Sequence, residues 1–193
     1  MNTLKAEKRS MDVKAKRLRR EGYVTGNLFG REIEGSIPVK MHKPDVERLL
    51  KTNNKGSQIL LDVDGQKYDV LIKEVDFNPM AGRVDELDFQ ALVSNEKVHS
   101  VAEIVLVNHD KIQTGVLQEN LTEIAYTAYP SSLVDKVKVD VGEMKIGDVI
   151  YVKDLPIAED KDIDLKTDLE SVVVMLNAVH SKEVPEEEED TEE

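Results

Sequence analysis

The chain contains no cysteine. That excludes disulfides, thiolate metal sites and cysteine nucleophiles together, and it is compatible with a reducing cytoplasm. Aromatic residues are scarce, three Phe and five Tyr in 193 residues. Val, Ile and Leu therefore have to fill whatever core the 40% hydrophobic content builds. No stretch approaches the ~18 apolar residues of a membrane span, and the opening residues are polar and charged with no apolar h-region. A soluble, intracellular protein is expected, with no membrane partner. His42, His99, His109 and His180 are scattered without His-x-His or Glu-x-x-His spacing, which argues against a metal centre. Gly22, Gly26 and Gly30 are followed by no Gly-Lys-Ser/Thr, so they read as turn and bulge glycines and not as a P-loop. Asp85, Glu86 and Asp88 read as a solvated strand edge and not as a catalytic dyad. No cofactor and no small-molecule substrate is expected, and the pattern favours a binder over an enzyme.

What the chain does have is charge, unevenly placed. The formal net charge is -13. Residues 1–93 carry 17 Lys/Arg against 15 Asp/Glu, while the rest carry 9 against 24. Inside this acidic protein, Lys14 to Arg20 reads Lys-Ala-Lys-Arg-Leu-Arg-Arg, five cations in seven residues. An asymmetry of this kind marks one segment that meets a polyanion and another that does not. By composition alone, the segment is either a solvated helical face or a nucleic-acid contact. Cations set against phosphate release counterions and so give affinity, but they position a protein without specifying a site. Asn27 and Phe29 on the following strand offer the polar and planar groups that specificity would need.

The length suits two domains of about 90 residues each. We expect a first domain over 1–93, a second over 94–182 and a disordered acidic tail over 183–193, which holds eight acids and no cation. The fold class is expected to be mainly β with some α. In the first domain, strands are predicted near Thr3–Arg9, Tyr23–Phe29 and Ile37–Met41, with Pro38 pointing to a sheet edge or bulge. The basic segment favours a helical turn or two, which Gly22 ends. A helix starts at Pro44-Asp45 and buries Val46, Leu49 and Leu50. Asp64-Gly65 joins Ile59–Val63 to Gln66–Val75 in a type I′ hairpin, and a further strand spans about Val84–Leu92. In the second, all-β or mostly β domain, strands are predicted at Val101–Val107, Ile124–Tyr129, Val137–Val141, Val149–Val152 and Val172–Leu176. Their spacing suggests a small sandwich or barrel-like unit.

Leu4-Lys5-Ala6-Glu7-Lys8-Arg9, then Lys16-Arg17-Leu18-Arg19-Arg20-Glu21-Gly22-Tyr23-Val24-Thr25-Gly26-Asn27-Leu28-Phe29-Gly30, resembles the opening of the bacterial large-subunit ribosomal protein L-twenty-five family. The long two-domain form, also called Ctc or general stress protein, is the nearer match. Val70 to Val75, Pro79 and Leu87-Asp88-Phe89-Gln90 continue the likeness. Gly115-Val116-Leu117-Gln118, Val137 to Val141 and Ile146 to Leu155 extend it through the second domain. The resemblance implies an N-terminal β-barrel with helices that binds 5S ribosomal RNA in the large subunit, among neighbouring ribosomal proteins in the cytoplasm. The resemblance also implies a C-terminal β domain. Carried over by position, the RNA contacts are Arg9, Lys14, Arg19, Arg20, Phe29 and Asp88, and Lys16 and Arg17 join them from the basic segment. The chain departs from the family where Thr25 replaces Pro, Phe29 replaces Tyr, Asp76 replaces Gln and Glu86 replaces His. Those departures leave a second reading open, a stress-related paralogue with weakened RNA binding that acts through protein contacts.

Overall fold

The computed structural model describes residues 2–112 and 114–178. The acidic segment 183–193 and His180 lie outside the described residues.

The first part is a closed six-stranded barrel with two helices. Its strands are β1 (Thr3–Lys8), β2 (Tyr23–Phe29), β3 (Ser36–His42), β4 (Gln58–Val63), β5 (Gln66–Asn78) and β6 (Arg83–Ala91), and its helices are α1 (Ala15–Arg20) and α2 (Lys43–Leu50). Around the barrel the order is β1-β3-β2-β6-β5-β4, closed by a parallel pairing of β1 with β4. Period-two alternation sends Leu4 and Ala6, Val24 and Leu28, Val39 and Met41, Ile59 and Leu61, and Leu87 and Phe89 into one core. The helix α2 adds Val46 and Leu49 to that core, and Leu50 packs against it only partly buried. Asp64 and Gly65 have φ of 50° and 90° between the paired residues Val63 and Gln66, as a type I′ hairpin needs.

Closure changes the meaning of two residues. Pro38 was expected at an edge or bulge, yet β3 lies between β1 and β2, with Pro38 opposite Asn27. It is tolerated because its carbonyl accepts from Arg9 N at 2.9 Å. Carbonyl and amide of one residue point the same way in an antiparallel strand, so the missing donor faces the point where β1 ends. Gly26 lies at the parallel seam of β2 with β6. A Cβ there would stand 1.9 Å from Leu87 O, so only glycine lets these strands meet.

The β5–β6 ladder carries two bulges. Ile72 faces Phe89 and Glu74 faces Asp88, so Lys73 is an extra residue on β5; Asp76 faces Glu86 and Phe77 faces Val84, so Asp85 is an extra residue on β6. A bulge re-aims the side chain it inserts. Lys73 reaches out to the second half of the molecule, and Asp85 is turned towards α1.

The second half is mostly β. Its strands are β7 (Val98–Val107), β8 (Val116–Glu119), β9 (Glu123–Ala128), β10 (Lys136–Asp140), β11 (Val149–Tyr151), β12 (Ile163–Leu165) and β13 (Val172–Asn177). They form one sheet in the order β10-β7-β9-β12 and another in the order β11-β13-β8. Ile104, Ile124, Tyr126, Val139, Val152, Ile157 and Val174 belong to their shared core. The buried Tyr126 hydroxyl donates to Val134 O at 3.0 Å and accepts from Val134 N at 2.8 Å, which satisfies its polar tip. The β8 and β12 strands are too short for a periodic signal and were not expected as strands. Val152, expected at the end of a strand, instead begins a 3-10 turn.

The two parts meet in a polar junction. Lys73 Nζ donates to His99 O at 2.9 Å, and Asn54 Nδ2 donates to Glu103 Oε2 at 2.7 Å. Gly56, at φ 89°, sits so close to β7 that a Cβ would stand 2.0 Å from Val101 O. Burial, and then the positive charge of Lys55, pull the Lys73 ammonium below the ordinary lysine range.

Candidate nucleic-acid interface

Six residues suffice for α1 because Leu18, the helix's one buried side chain, anchors it. Arg17, Arg19 and Arg20 occupy its last turn, where cations complement the negative end of the helix. Gly22 follows at φ 88°, a backbone conformation natural to glycine at a helix exit. With Leu18 turned inward, Lys14, Lys16, Arg17 and Arg20 are all exposed. Lys16 and Arg20 are four residues apart and share a face. Arg17 is bound to Glu21 at 2.9 Å, a pair with side chains 75% and 47% exposed and hence of little energetic weight. Lys14, Lys16 and Arg20 have no ion-pair partner among the described residues.

Arg19 is different. Its Nε donates to Asp85 O at 3.1 Å and its Nη2 to Thr25 Oγ1 at 3.4 Å, with Asp85 Oδ1 at 3.9 Å and Glu86 Oε2 at 3.8 Å. It fastens α1 to the barrel. Asp85 is the centre of this fastening: Asn78 Nδ2 reaches its Oδ2 at 3.1 Å and Arg83 Nε its Oδ1 at 2.8 Å. The Asn78 amide, then Arg83 and Arg19, hold the Asp85 carboxyl below the ordinary aspartate range despite its burial. The expectation of a solvated strand edge fails here, because β6 lies inside the barrel wall and Asp85 is 8% exposed.

The outer wall beside α1 is built from β2, β6 and β5. Leu87 and Phe89 point inward, so alternation sets Glu86 and Asp88 on the outside, facing Asp76 and Glu74 across the β5 ladder. Asp88 Oδ1 accepts from Asn27 N at 2.8 Å and from Asn27 Nδ2 at 3.3 Å. It thereby joins β2 to β6 where no Cα partner is registered for Asn27 on β6. Phe29 ends β2, partly exposed, opposite Ser36 and Gln90. Arg9 follows β1; its Nη2 donates to Val13 O at 3.1 Å, and its buried Nε has no partner among the described residues. Burial, and then the Asp88 carboxylate, push the Glu86 carboxyl above the ordinary glutamate range; Asp76 adds to this, while Arg19 and Arg9 oppose it.

The residues expected at the interface thus fall into two groups. Lys14, Lys16, Arg17 and Arg20 form an exposed cationic ridge. Arg9, Arg19, Phe29 and Asp88 belong to the wall beside it, where Asp88 ties β2 to β6 and Arg19 ties α1 to the barrel. Thr25 and Asp85 complete the anchorage of Arg19. The sequence offers Asp85 only as one acid of a solvated edge, because a one-residue bulge leaves no trace in a hydrophobic pattern.

Comparison with known proteins agrees with this architecture. The model of the Ribosomal L25p family matches residues 4–89, and that of the ribosomal protein TL5 C-terminal domain matches residues 97–180. A Listeria monocytogenes (serotype 4b, strain F2365) protein named large ribosomal subunit protein bL25 is 30% identical over 187 residues, covering 95% of this chain and 89% of its own. Proteins of the same name from Caldanaerobacter subterraneus and Bacillus pumilus are 28% and 29% identical, each over 191 residues, covering 97% and 96% of this chain and 94% and 90% of their own. The chain belongs to the L25p family in its long two-domain form, a family of structural ribosomal proteins and not of enzymes.

Proposed function

We propose that this chain binds 5S ribosomal RNA in the large ribosomal subunit, through α1 and the adjoining wall of β2 and β6. One observation carries the reading: Lys14, Lys16, Arg17 and Arg20 stand exposed on a helix whose other side is pinned to the barrel by Leu18 and Arg19. Cations held on a rigid element lose little conformational freedom on meeting phosphates, and the counterions they release supply the affinity. Asn27 and Phe29 lie beside them, where a hydrogen bond and a planar surface can engage sugar hydroxyls or an unstacked base. The relatives' names place those proteins in the large subunit, which supports the same partner here. The protein then works on cytoplasmic ribosomes.

A titration with 5S RNA tests the reading directly. Binding that weakens linearly on a logarithmic salt scale is expected, together with co-sedimentation with large subunits at moderate salt. Binding of transfer RNA as tight as that of 5S RNA would leave only a non-specific cationic patch.

A further inference from the structure

The wall next to the cationic ridge is acidic. On β6 and β5, Glu86, Asp88, Asp76 and Glu74 are brought together on the outer face, and Asp76 stands directly across the ladder from Glu86. Like charges directly opposite on a sheet repel. Five groups face Glu86 as neighbours of consequence: Asp88 on its own strand, Asp76 on β5, Asn27 on β2, Arg19 on α1 and Arg9 after β1. Asn27 Nδ2 donates to Glu86 Oε1 at 3.4 Å, and Arg19 Nη2 lies 3.8 Å from Oε2. Among the anchors of Arg19, Asp85 is shielded, with its side chain 12% exposed, whereas that of Glu86 is 39% exposed. The contact to Glu86 is therefore the one that an incoming anion can exchange.

We propose that Glu86 is an internal counter-ion which RNA phosphate displaces from Arg19, so that Glu86 sets the affinity of this interface and couples RNA binding to uptake of one proton from solvent. The proposal rests on the RNA-binding reading above. A phosphate brought to Arg19 adds a fourth negative charge to the cluster of Glu86, Asp88 and Asp76. Protonation of Glu86 removes one of the four and frees the guanidinium in the same step. The neutral carboxyl can still accept from Asn27, so the wall keeps its shape. Burial and its acidic neighbours already disfavour the charge of Glu86.

The test is a fluorescence titration of 5S RNA with the full chain and with Glu86→Gln, from about pH 7.5 to about pH 5.5 at low salt. For the unaltered chain, affinity should rise about two- to fivefold as pH falls, the range expected of one partly exposed ion pair. Glu86→Gln should bind at the upper pH as tightly as the unaltered chain does at the lower, with a flatter pH profile. Glu86→Ala should show the same gain, since loss of the charge suffices, and circular dichroism verifies that both variants are folded. Equal affinity and parallel pH profiles for all three chains would overturn the proposal and leave the RNA-binding reading standing. No binding by any of them at any pH would overturn both.

Discussion

The barrel of residues 3–91 has no free strand edge, whereas the two sheets that follow end in β10 and β12 on one and β11 and β8 on the other. Each region still avoids pairing with other chains. The barrel does so by closure, and the sheets do so with edge strands of three to five residues, of which β10 alternates valine with Lys136, Lys138 and Asp140. The difference bears on function. A closed wall holds outward side chains at fixed spacings, so Asn27, Glu86 and Asp88 keep their relations without help from a ligand. Electrostatics separates the regions too, since the cationic ridge stands on the barrel and all of the surplus acid belongs to the other half of the sequence. The two bulges divide in the same way: Asp85 fastens the ridge to the barrel, while Lys73 fastens the barrel to the sheets.

The largest expected effect concerns that electrostatic division. Reversing Lys16 and Arg20 together to Glu should lower 5S RNA affinity at least about a hundredfold near 0.1 M salt and reduce the salt slope by about two, while Lys138→Glu in β10 should change affinity less than about twofold. Gel-shift titrations read both, and equal losses would erase the contrast between the regions.

Next comes the junction. Gly56→Ala adds a Cβ within 2.0 Å of Val101 O at a φ that L residues rarely adopt, and it should cost about 2 to 3 kcal/mol. Scanning calorimetry should also resolve two transitions where the parts no longer unfold together. Gly65→Ala is the control, with a similar φ of 90° but no atom within 4 Å of a Cβ, and its cost should be about 1 kcal/mol.

Asp85 offers a sharper distinction through pH. Its carboxyl is depressed in the folded state by Asn78 first and then by Arg83 and Arg19, so its contribution is fully present above the ordinary Asp value of 3.8 and is lost as pH falls through the folded value. Asp85→Asn should lower stability at neutral pH by about 1.5 to 2 kcal/mol, because charge-assisted hydrogen bonds are lost at a buried site, and it should flatten the acid limb of the stability curve. Denaturant melts at several pH values measure this. An unchanged acid limb would show that the fastening of α1 lies elsewhere.

The smallest effect should come from Tyr126→Phe, which leaves Val134 N and O without their partner and should cost about 1 kcal/mol in the second half alone. RNA affinity should not move. A change in RNA affinity would mean that the second core reaches the interface through the junction.

Period-two patterning, Pro44-Asp45, Asp64-Gly65 and the run from Lys14 to Arg20 were enough to foresee the strands of the barrel, α2, the hairpin and the cationic segment. Each of these features is local, set by side-chain direction or by backbone preference within a few residues. Motif order likewise carried the family likeness. Closure of the barrel, by contrast, depends on which strands meet, and only that pairing places Pro38 and Asp85 inside a continuous wall. The sequence shows Arg19 and Arg20 as equivalent neighbours. Tertiary structure alone separates them, because the bulge at Asp85 brings a buried carboxylate under one arginine and leaves the other to solvent. Such a distinction depends on distances between residues more than sixty positions apart, which no local propensity encodes.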